Sequence, residues 1–430
     1  MEFYGQATNA KEETIIGQEK EQVEIAYVSA AVNKLGENVT AVDLQEELDK
    51  TVGTEKTDTT INADGTLNVL FNDTEHNFNV NNGEVKKVEV DNSTMAMFDT
   101  GTNVAQKMYA LAEQGQIQYW FVINNLSIDG IKRYTGTPDL SSMTDANIVS
   151  WTDAYTAYEQ KPSAYLSIIP EGTRLCPIYM WFEESGTEEI RSTSGDTNLT
   201  EITNSNWQKK VKTGTIYWWC ESNNVYLNPD SSNMFFGLSY LSDISGLQSL
   251  KTDYTTNMRG IMSVISENRK LKNFDALSGW NISNVTDLSY ALCGYVNLEN
   301  IKGLKYWDTS KVENMQSIFG DMVECKPTKI NDITALSNWD VSNVTNMSYM
   351  FYGCNASDLS ALSNWDVGRV TNMSYMFWDC DKLIDASGIN DWNIINVNNF
   401  TSMFSGCSVH PEFTKVTGTW DNSGTFTPTP

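Results

Sequence analysis

The sequence has few histidines, cysteines and basic residues, and these shortages exclude several kinds of site. His76 and His410 are the only histidines among 430 residues, so almost no residues are available for histidine-based catalysis or metal binding. The seven cysteines are widely spaced without any CxxC pair, which disfavours a disulfide framework and a zinc site. The chain has 29 lysines and arginines but 55 aspartates and glutamates, which gives a net charge of −26. We therefore expect no nucleic-acid binding, because such a surface repels phosphate backbones.

Long apolar runs and catalytic motifs are also missing. No run of about 18 apolar residues occurs, so the chain as written is expected not to span a membrane. The opening residues, MEFYGQATNAKEET, have neither the basic nor the apolar region of a signal peptide. No nucleophile-elbow, phosphate-loop or HExxH pattern appears. We expect no enzymatic activity and no cofactor.

The first ninety residues predict two helices followed by a small antiparallel sheet. Apolar residues return at helical spacing from Lys11 to Asn33. Thr40 with Asp43 forms an acidic version of a capping box, which predicts the start of a second helix. Alternating runs at 67–71, 78–80 and 85–90 are separated by turn residues and predict hairpins.

Two runs in this region resemble the soluble part of type IV pilin-like proteins of Gram-positive bacteria. They are KEQVEIAYVSAAVNKLGENVTAVDLQEELDKTVG at 20–53 and GTLNVLFNDTEHNFNVNNGEV at 65–85. In that family the helix continues upstream into an apolar membrane segment with a processing site. The resemblance therefore implies a membrane segment upstream in the full-length protein, and contacts with other pilin-like subunits as one function of residues 1–90.

Residues 91–240 predict a mixed, strand-rich middle domain that leads into a repeat array. A helix is expected at 103–113, and aromatic-rich strands are expected at 119–123, 165–169, 177–182 and 215–219. Core and cross-strand packing is the favoured explanation of these aromatic residues. An exposed, carbohydrate-binding aromatic platform stays open as the alternative.

From 241 to 430 the sequence is periodic. Tryptophan recurs at 280, 307, 339, 365, 392 and 420, which are 27, 32, 26, 27 and 28 residues apart. Such periods indicate a solenoid. Apolar residues at five, eight, eleven, twelve and fifteen positions after the first five of these tryptophans lie on one face of a helix. We predict one strand before and one short helix after each of these five tryptophans, in a repeat of about 27 residues with atypical capping ends. The array is expected to stop at Trp420, because DNSGTFTPTP follows it.

The stretch WDVSNVTNMSYMFYGC at 339–354 resembles the consensus of BspA-like leucine-rich repeats, and five successive units follow it. The preceding residues 214–247 resemble the segment that leads into such arrays. The resemblance implies an extracellular, cell-surface adhesion protein without enzymatic activity. The repeat positions expected to be structural are Trp280, Trp307, Trp339, Trp365, Trp392, Met315, Met347, Met373, Phe351, Phe377, Phe404, Cys354, Cys380 and Cys407.

Three positions of the repeat each allow a functional explanation as well as a structural one. We call the residues at one such position in successive repeats a column. The residue after each tryptophan is always Asp or Asn, which favours a turn, although Asp308, Asp340 and Asp366 also suit calcium. The cysteine column is expected to be buried and free rather than a disulfide or metal ladder. The tryptophan column is expected to be core rather than a sugar-binding stripe.

These patterns predict an α/β multidomain protein with three parts: a pilin-like α+β module at 1–90, the middle domain at 91–240 and a leucine-rich-repeat-like solenoid at 241–430. The expected function is non-enzymatic adhesion or partner binding at the bacterial surface, and the partner is an unidentified protein or glycan of a host or bacterial surface. The alternatives are a structural pilus or envelope subunit, and glycan binding by the middle domain.

Overall fold

The computed structural model describes residues 2–34, 39–53, 57–61, 66–71, 77–81, 83–87, 94–113, 127–143, 146–149, 174–191, 208–238, 240–264, 270–298, 300–320 and 330–429. Contacts within the chain divide it once, between Asp91 and Asn92, into two compact units. None of the described helices is both long enough and apolar enough to cross a bilayer.

The first unit contains two helices and one four-stranded sheet. Helix α1 covers Glu2–Lys34 and α2 covers Ala41–Thr51. The predicted capping box is confirmed, because the Thr40 side chain accepts from the Asp43 N–H while the Asp43 carboxylate accepts from the Thr40 N–H. The strands are β1 (Thr57–Ile61), β2 (Leu67–Phe71), β3 (Asn77–Asn81) and β4 (Glu84–Lys87), all antiparallel in sequence order.

The core of this unit lies between the helices and the sheet. Val23 and Ala26 of α1, Leu44 and Leu48 of α2, and Val69, Phe78 and Val80 of the sheet are all buried. Gly83 has a φ of 86° in the turn between β3 and β4, a conformation that glycine adopts without a steric cost. The helices and hairpins expected for 1–90 therefore form, and β1 is an additional strand that the sequence pattern did not indicate.

The second unit begins with a helix and two sheets. Its elements up to residue 226 are β5 (Thr94–Met97), α3 (Gly101–Glu113), β6 (Ser127–Arg133), β7 (Asn147–Ile148), β8 (Arg174–Leu175), β9 (Ile178–Arg191), β10 (Gln208–Cys220) and β11 (Val225–Tyr226). One sheet has the order β6-β10-β9-β7, with β6 parallel to β10 and the other pairs antiparallel. The strands expected at 177–182 and 215–219 lie in β9 and β10, whereas those expected at 119–123 and 165–169 lie outside the described residues.

The remainder of the second unit is a stack of coils. Each coil carries one short 3₁₀ turn, at Ser245–Leu247, Asp275–Leu277, Lys302–Leu304, Thr334–Leu336, Ser360–Leu362 and Ser387–Ile389. Single parallel bridges join residues of successive coils, in the order Asp230, Asn257, Asp287, Asn314, Asn346, Asn372 and Asn399. One hydrophobic core runs from Ala96 to Phe426, so the coils and the preceding sheets share it.

The segments after each tryptophan are not helices, and this part of the prediction is wrong. In the coil that starts at Trp339, alternate backbone N–H groups donate to carbonyls of the next coil. Met347 donates to Asn372 at 2.9 Å, and Phe351 donates to Met376 at 2.9 Å. Turns of the i+3 to i type fill the steps between, such as the Met350 N–H to Met347 carbonyl at 3.3 Å. A three-residue turn period places the same side chains inward as a helix would, so the apolar spacing did not distinguish the two.

The predicted strand before each tryptophan is likewise replaced by the 3₁₀ turn. The Leu362 N–H bonds the Leu359 carbonyl at 3.0 Å within the chain, instead of bonding a neighbouring strand. The inter-coil ladder begins at Ser231 and Asn233, which donate to Asn257 and Arg259, upstream of the expected array start at 241.

A hairpin covers the last coil. It consists of β12 (Gly418–Trp420) paired with β13 (Phe426–Pro428). The Phe404 N–H donates to the Gly424 carbonyl at 3.0 Å, and the Ser402 N–H donates to Thr425 Oγ1 at 2.8 Å. The hairpin thus supplies acceptors for N–H groups that would otherwise point to a further coil, which is the role of a capping end.

Candidate functional site

The tryptophan column lies in the core and ties each coil to the one before it. Trp280, Trp307, Trp339, Trp365 and Trp392 are only 1–4% exposed. The Trp339 indole N–H donates to the Leu304 carbonyl at 3.0 Å, and the same carbonyl accepts from the Trp307 N–H at 3.2 Å. The Leu304 carbonyl thus closes the turn within its own coil and also accepts the indole hydrogen bond from the next coil. The same bond recurs from Trp280, Trp307, Trp365 and Trp392 to Leu247, Leu277, Leu336 and Leu362.

The other apolar columns fill the space between coils. Met315, Met347 and Met373 are fully buried, and the buried rings of Phe351, Phe377 and Phe404 stack on one another at 5.4 and 4.9 Å. These columns therefore offer no surface to a partner.

The cysteine column carries free thiols that point to backbone carbonyls. Cys354 and Cys380 are buried, and Cys407 is partly buried. Their Sγ atoms donate to the carbonyls of Ile330 at 3.0 Å, Phe351 at 3.2 Å and Phe377 at 3.0 Å, respectively. Burial raises the pKa of the Cys354 thiol to about 11 and also raises the pKa of Cys380. Cys354 and Cys380 are therefore held as hydrogen-bonding thiols rather than reactive thiolates.

The acidic column after the tryptophans closes turns. In Asp308, Asp340 and Asp366 the Oδ1 atom accepts the backbone N–H two residues later, at 3.0, 2.9 and 3.0 Å. Each of these carboxylates is exposed and stabilises its own bend. Within the described part of the chain, no three or more His, Cys, Asp or Glu side chains are grouped to hold a metal ion.

A column of left-handed backbone residues is the feature that sequence reasoning missed. Ten positions after each of the five core tryptophans, and at the matching positions of the first two coils, φ lies between 50° and 59°. The column consists of Asn233, Gly260, Tyr290, Ser317, Tyr349, Tyr375 and Ser402. The exchange of glycine, asparagine and serine at one repeat position was the available signal, because these residues tolerate this conformation. A tyrosine there carries a steric cost of about 1–2 kcal/mol.

The tyrosines of this column form a half-buried aromatic surface, which we call the tyrosine face: Tyr290, Tyr349, Tyr375 and the adjacent Trp378. The rings of Tyr349 and Tyr375 stack at 4.6 Å with an angle of 15°. Trp378 lies 5.2 Å from Tyr375. The Arg259 guanidinium sits 4.9 Å above the ring of Tyr290, whose pKa is raised by burial.

The coils match one known protein family. The family model described as "Mycoplasma protein of unknown function, DUF285" matches residues 229–328, 256–356 and 321–426. The coils are DUF285-like. This family is associated with BspA-like surface repeat proteins. The first match begins beside Ser231, where the inter-coil ladder starts, so the DUF285-like region and the hydrogen-bonded coils cover the same residues. No curated protein and no solved structure matches the chain.

Proposed function

We propose that the chain is a non-enzymatic, extracellular bacterial surface protein that adheres to a partner protein through its coils. In this proposal the coils form a leucine-rich-repeat-like solenoid of the BspA type, and the tyrosine face is the contact surface. The association of the DUF285 family with surface repeat proteins supports the location.

The observation that carries the proposal is the tyrosine in a left-handed backbone position. Gly260 occupies the same column without steric cost, so the backbone does not require tyrosine there. The core does not require it either, because Met347 and Phe351 of the same coil already fill the interior. A half-buried aromatic side chain retained against strain is typical of a binding surface.

The charge of the chain favours a partner with basic groups. A net charge of −26 attracts cationic surfaces and repels anionic ones over the Debye length of about 8–10 Å. Tyrosine and tryptophan supply most of the binding energy at many protein interfaces, with charged groups around them setting the partner. We expect a basic protein surface against the tyrosine face.

The test is adhesion of the full chain with Tyr349→Gly and Tyr375→Gly combined. We expect binding to host cells, matrix or other bacteria to fall by about tenfold or more, since two aromatic anchors are removed. The matched control is Tyr306→Ser, which removes a 59% exposed tyrosine of the same coils outside the left-handed column. Equal adhesion by the double variant and the control would refute the role of the tyrosine face.

One observation favours a second candidate, the structural pilus or envelope subunit. On α1, Ile25, Val28 and Val32 are 53%, 61% and 66% exposed, while Val23 and Ala26 are buried against the first unit's core. The three exposed residues follow the helical spacing of one apolar stripe. Such a stripe suits packing against α1 of another copy, so Val28→Asp with Val32→Asp should abolish assembly of the full-length protein, as seen by electron microscopy. Unchanged assembly would remove this candidate.

A further inference from the structure

A second aromatic surface lies on the sheet β6-β10-β9-β7, outside the repeated coils. Along β10, Ile216 and Trp218 are buried in the core, while the alternating Tyr217 and Trp219 are half-buried. The register places Tyr217 opposite Trp181 and Trp219 opposite Tyr179 on the neighbouring strand. Since alternate residues of a strand point to opposite sides of the sheet, these four rings share the face turned away from the core.

The rings are in continuous contact, and four of them are half-buried while Trp181 is only 3% exposed. Trp181 and Tyr217 are stacked at 6.0 Å with an angle of 18°, and Tyr179 and Trp219 lie 6.1 Å apart at 36°. Tyr134, directly after β6, meets Trp181 edge-on at 5.2 Å and Tyr217 at 6.2 Å. We call this surface the aromatic sheet face: Tyr134, Tyr179, Trp181, Tyr217 and Trp219.

Four polar groups of this face have no hydrogen-bond partner among the described residues. They are the hydroxyls of Tyr134, Tyr179 and Tyr217 and the indole N–H of Trp219. Buried aromatic residues of the same unit behave differently: the Trp218 indole donates to the Gly246 carbonyl at 3.2 Å, and Tyr295 donates to the Met262 carbonyl at 2.8 Å. Half-buried Tyr and Trp with open polar ends are suited to a ligand that combines apolar and hydroxylated surface.

The charged groups around the face are already paired. Lys132, which lies beside Tyr217 across the strands, forms an ion pair with Asp243 at 2.9 Å. Glu183 accepts from the Trp181 indole at 3.1 Å, and Asp129 accepts from the Thr215 hydroxyl at 3.1 Å. The described side chains around the face therefore leave no unpaired positive charge for an anion, and their carboxylates have spare lone pairs for hydroxyl donors. This pattern complements an uncharged, hydroxyl-rich ligand.

We propose that the aromatic sheet face binds a neutral oligosaccharide. Its C–H faces pack on the rings of Trp219 and Tyr217, and its hydroxyls bond the open phenol and indole groups and the rim carboxylates. This site is separate from the tyrosine face of the coils, and it gives the second unit two contact surfaces of different chemistry.

The test is a glycan array of neutral oligosaccharides probed with the full chain, followed by calorimetry on the strongest hit. We expect at least one neutral hit, with affinity that changes less than about twofold between 50 and 500 mM salt, since no net charge pairs with the ligand. Trp219→Ala should weaken binding by about tenfold or more, as loss of an aromatic anchor does. An array with no neutral hit, or binding that high salt abolishes, would overturn the proposal.

Two further variants separate a lost contact from a damaged fold. Tyr179→Phe and Tyr217→Phe keep the rings and remove only hydroxyls that bond no described residue, so near-ultraviolet circular dichroism should be unchanged while affinity falls severalfold. The Tyr349→Gly with Tyr375→Gly variant should bind the glycan as the unaltered chain does, whether or not it loses adhesion. Unaltered affinity in both phenylalanine variants and in a folded Trp219→Ala protein would refute the site.

Discussion

The left-handed backbone at Tyr375 predicts an unusual order of stability between two small substitutions. At an ordinary position alanine is more stable than glycine by about 0.5–1 kcal/mol, because glycine loses more conformational entropy on folding. At a φ of 58°, the Cβ of alanine keeps the steric cost of about 1–2 kcal/mol that glycine avoids. Both substitutions remove the same ring and the same stacking with Tyr349. The two effects oppose each other, and their difference leaves Tyr375→Gly more stable than Tyr375→Ala by about 0.7 kcal/mol.

The assay is urea denaturation of the full chain followed by circular dichroism, and the matched control is Thr371. Thr371 is exposed, lies in the same coil and is not among the residues with positive φ. There the order should be the ordinary one, with Thr371→Ala more stable than Thr371→Gly. Tyr375→Ala equal to or more stable than Tyr375→Gly would show that the column is not strained, and it would remove the observation on which the adhesion proposal depends.

Other consequences of the coil geometry can be measured in the same way. Trp365→Phe keeps a ring in the core and loses the bond to the Leu336 carbonyl, so it should lower the unfolding free energy by about 0.5–1.5 kcal/mol, against about 3–5 kcal/mol for Trp365→Ala. Because the Asp340 carboxylate closes a turn, Asp340→Ala should lower the unfolding free energy by about 1 kcal/mol, whereas Asp340→Asn should leave it almost unchanged. Added calcium should not change the melting temperature of either variant. Hydrogen bonds from the Ser360 side chain and backbone lower the pKa of Asp358. The Asp358 carboxylate should therefore contribute fully to the unfolding free energy above about pH 4 and lose that contribution as the pH falls further. Asp358→Asn should reduce the loss of unfolding free energy at acidic pH. Cys354, with a pKa of about 11, should resist iodoacetamide at pH 8 in the folded protein and react once urea unfolds it.

Some elements could be predicted from sequence because their causes are local. The Thr40–Asp43 capping box satisfies backbone groups within four residues, and helix α3 follows from apolar spacing within one segment. The Asp column is also local, since each Oδ1 atom bonds the N–H two residues later. These signals do not depend on the rest of the fold.

The conformation of the coils could not be predicted this way, because its hydrogen bonds join residues about 27 positions apart. The Tyr349 N–H donates to the Ser374 carbonyl at 3.0 Å, which removes the donor that a helix would use internally. The inward positions are the same for a helix and for a succession of three-residue turns, so the apolar pattern identified what is buried without identifying the backbone path. The left-handed column, and with it the tyrosine face, follows from that path.

The differences between coils locate the proposed contact more narrowly than the array as a whole. Thirteen positions after the five core tryptophans stand Cys293, Gly320, Tyr352, Trp378 and Ser405, so among these five coils an aromatic residue occurs there only after Trp339 and Trp365. The same two coils carry Tyr349 and Tyr375, whose half-buried rings are stacked. Tyr352 is only 2% exposed and packs 5.2 Å from Trp378, so of these two residues only the half-buried Trp378 can meet a partner. Within the tyrosine face, Ser317 occupies the position between Tyr290 and Tyr349, whereas Tyr349, Tyr375 and Trp378 contact one another. We therefore expect a compact footprint over 349–378, with little contribution from Tyr290 or from the coils on either side.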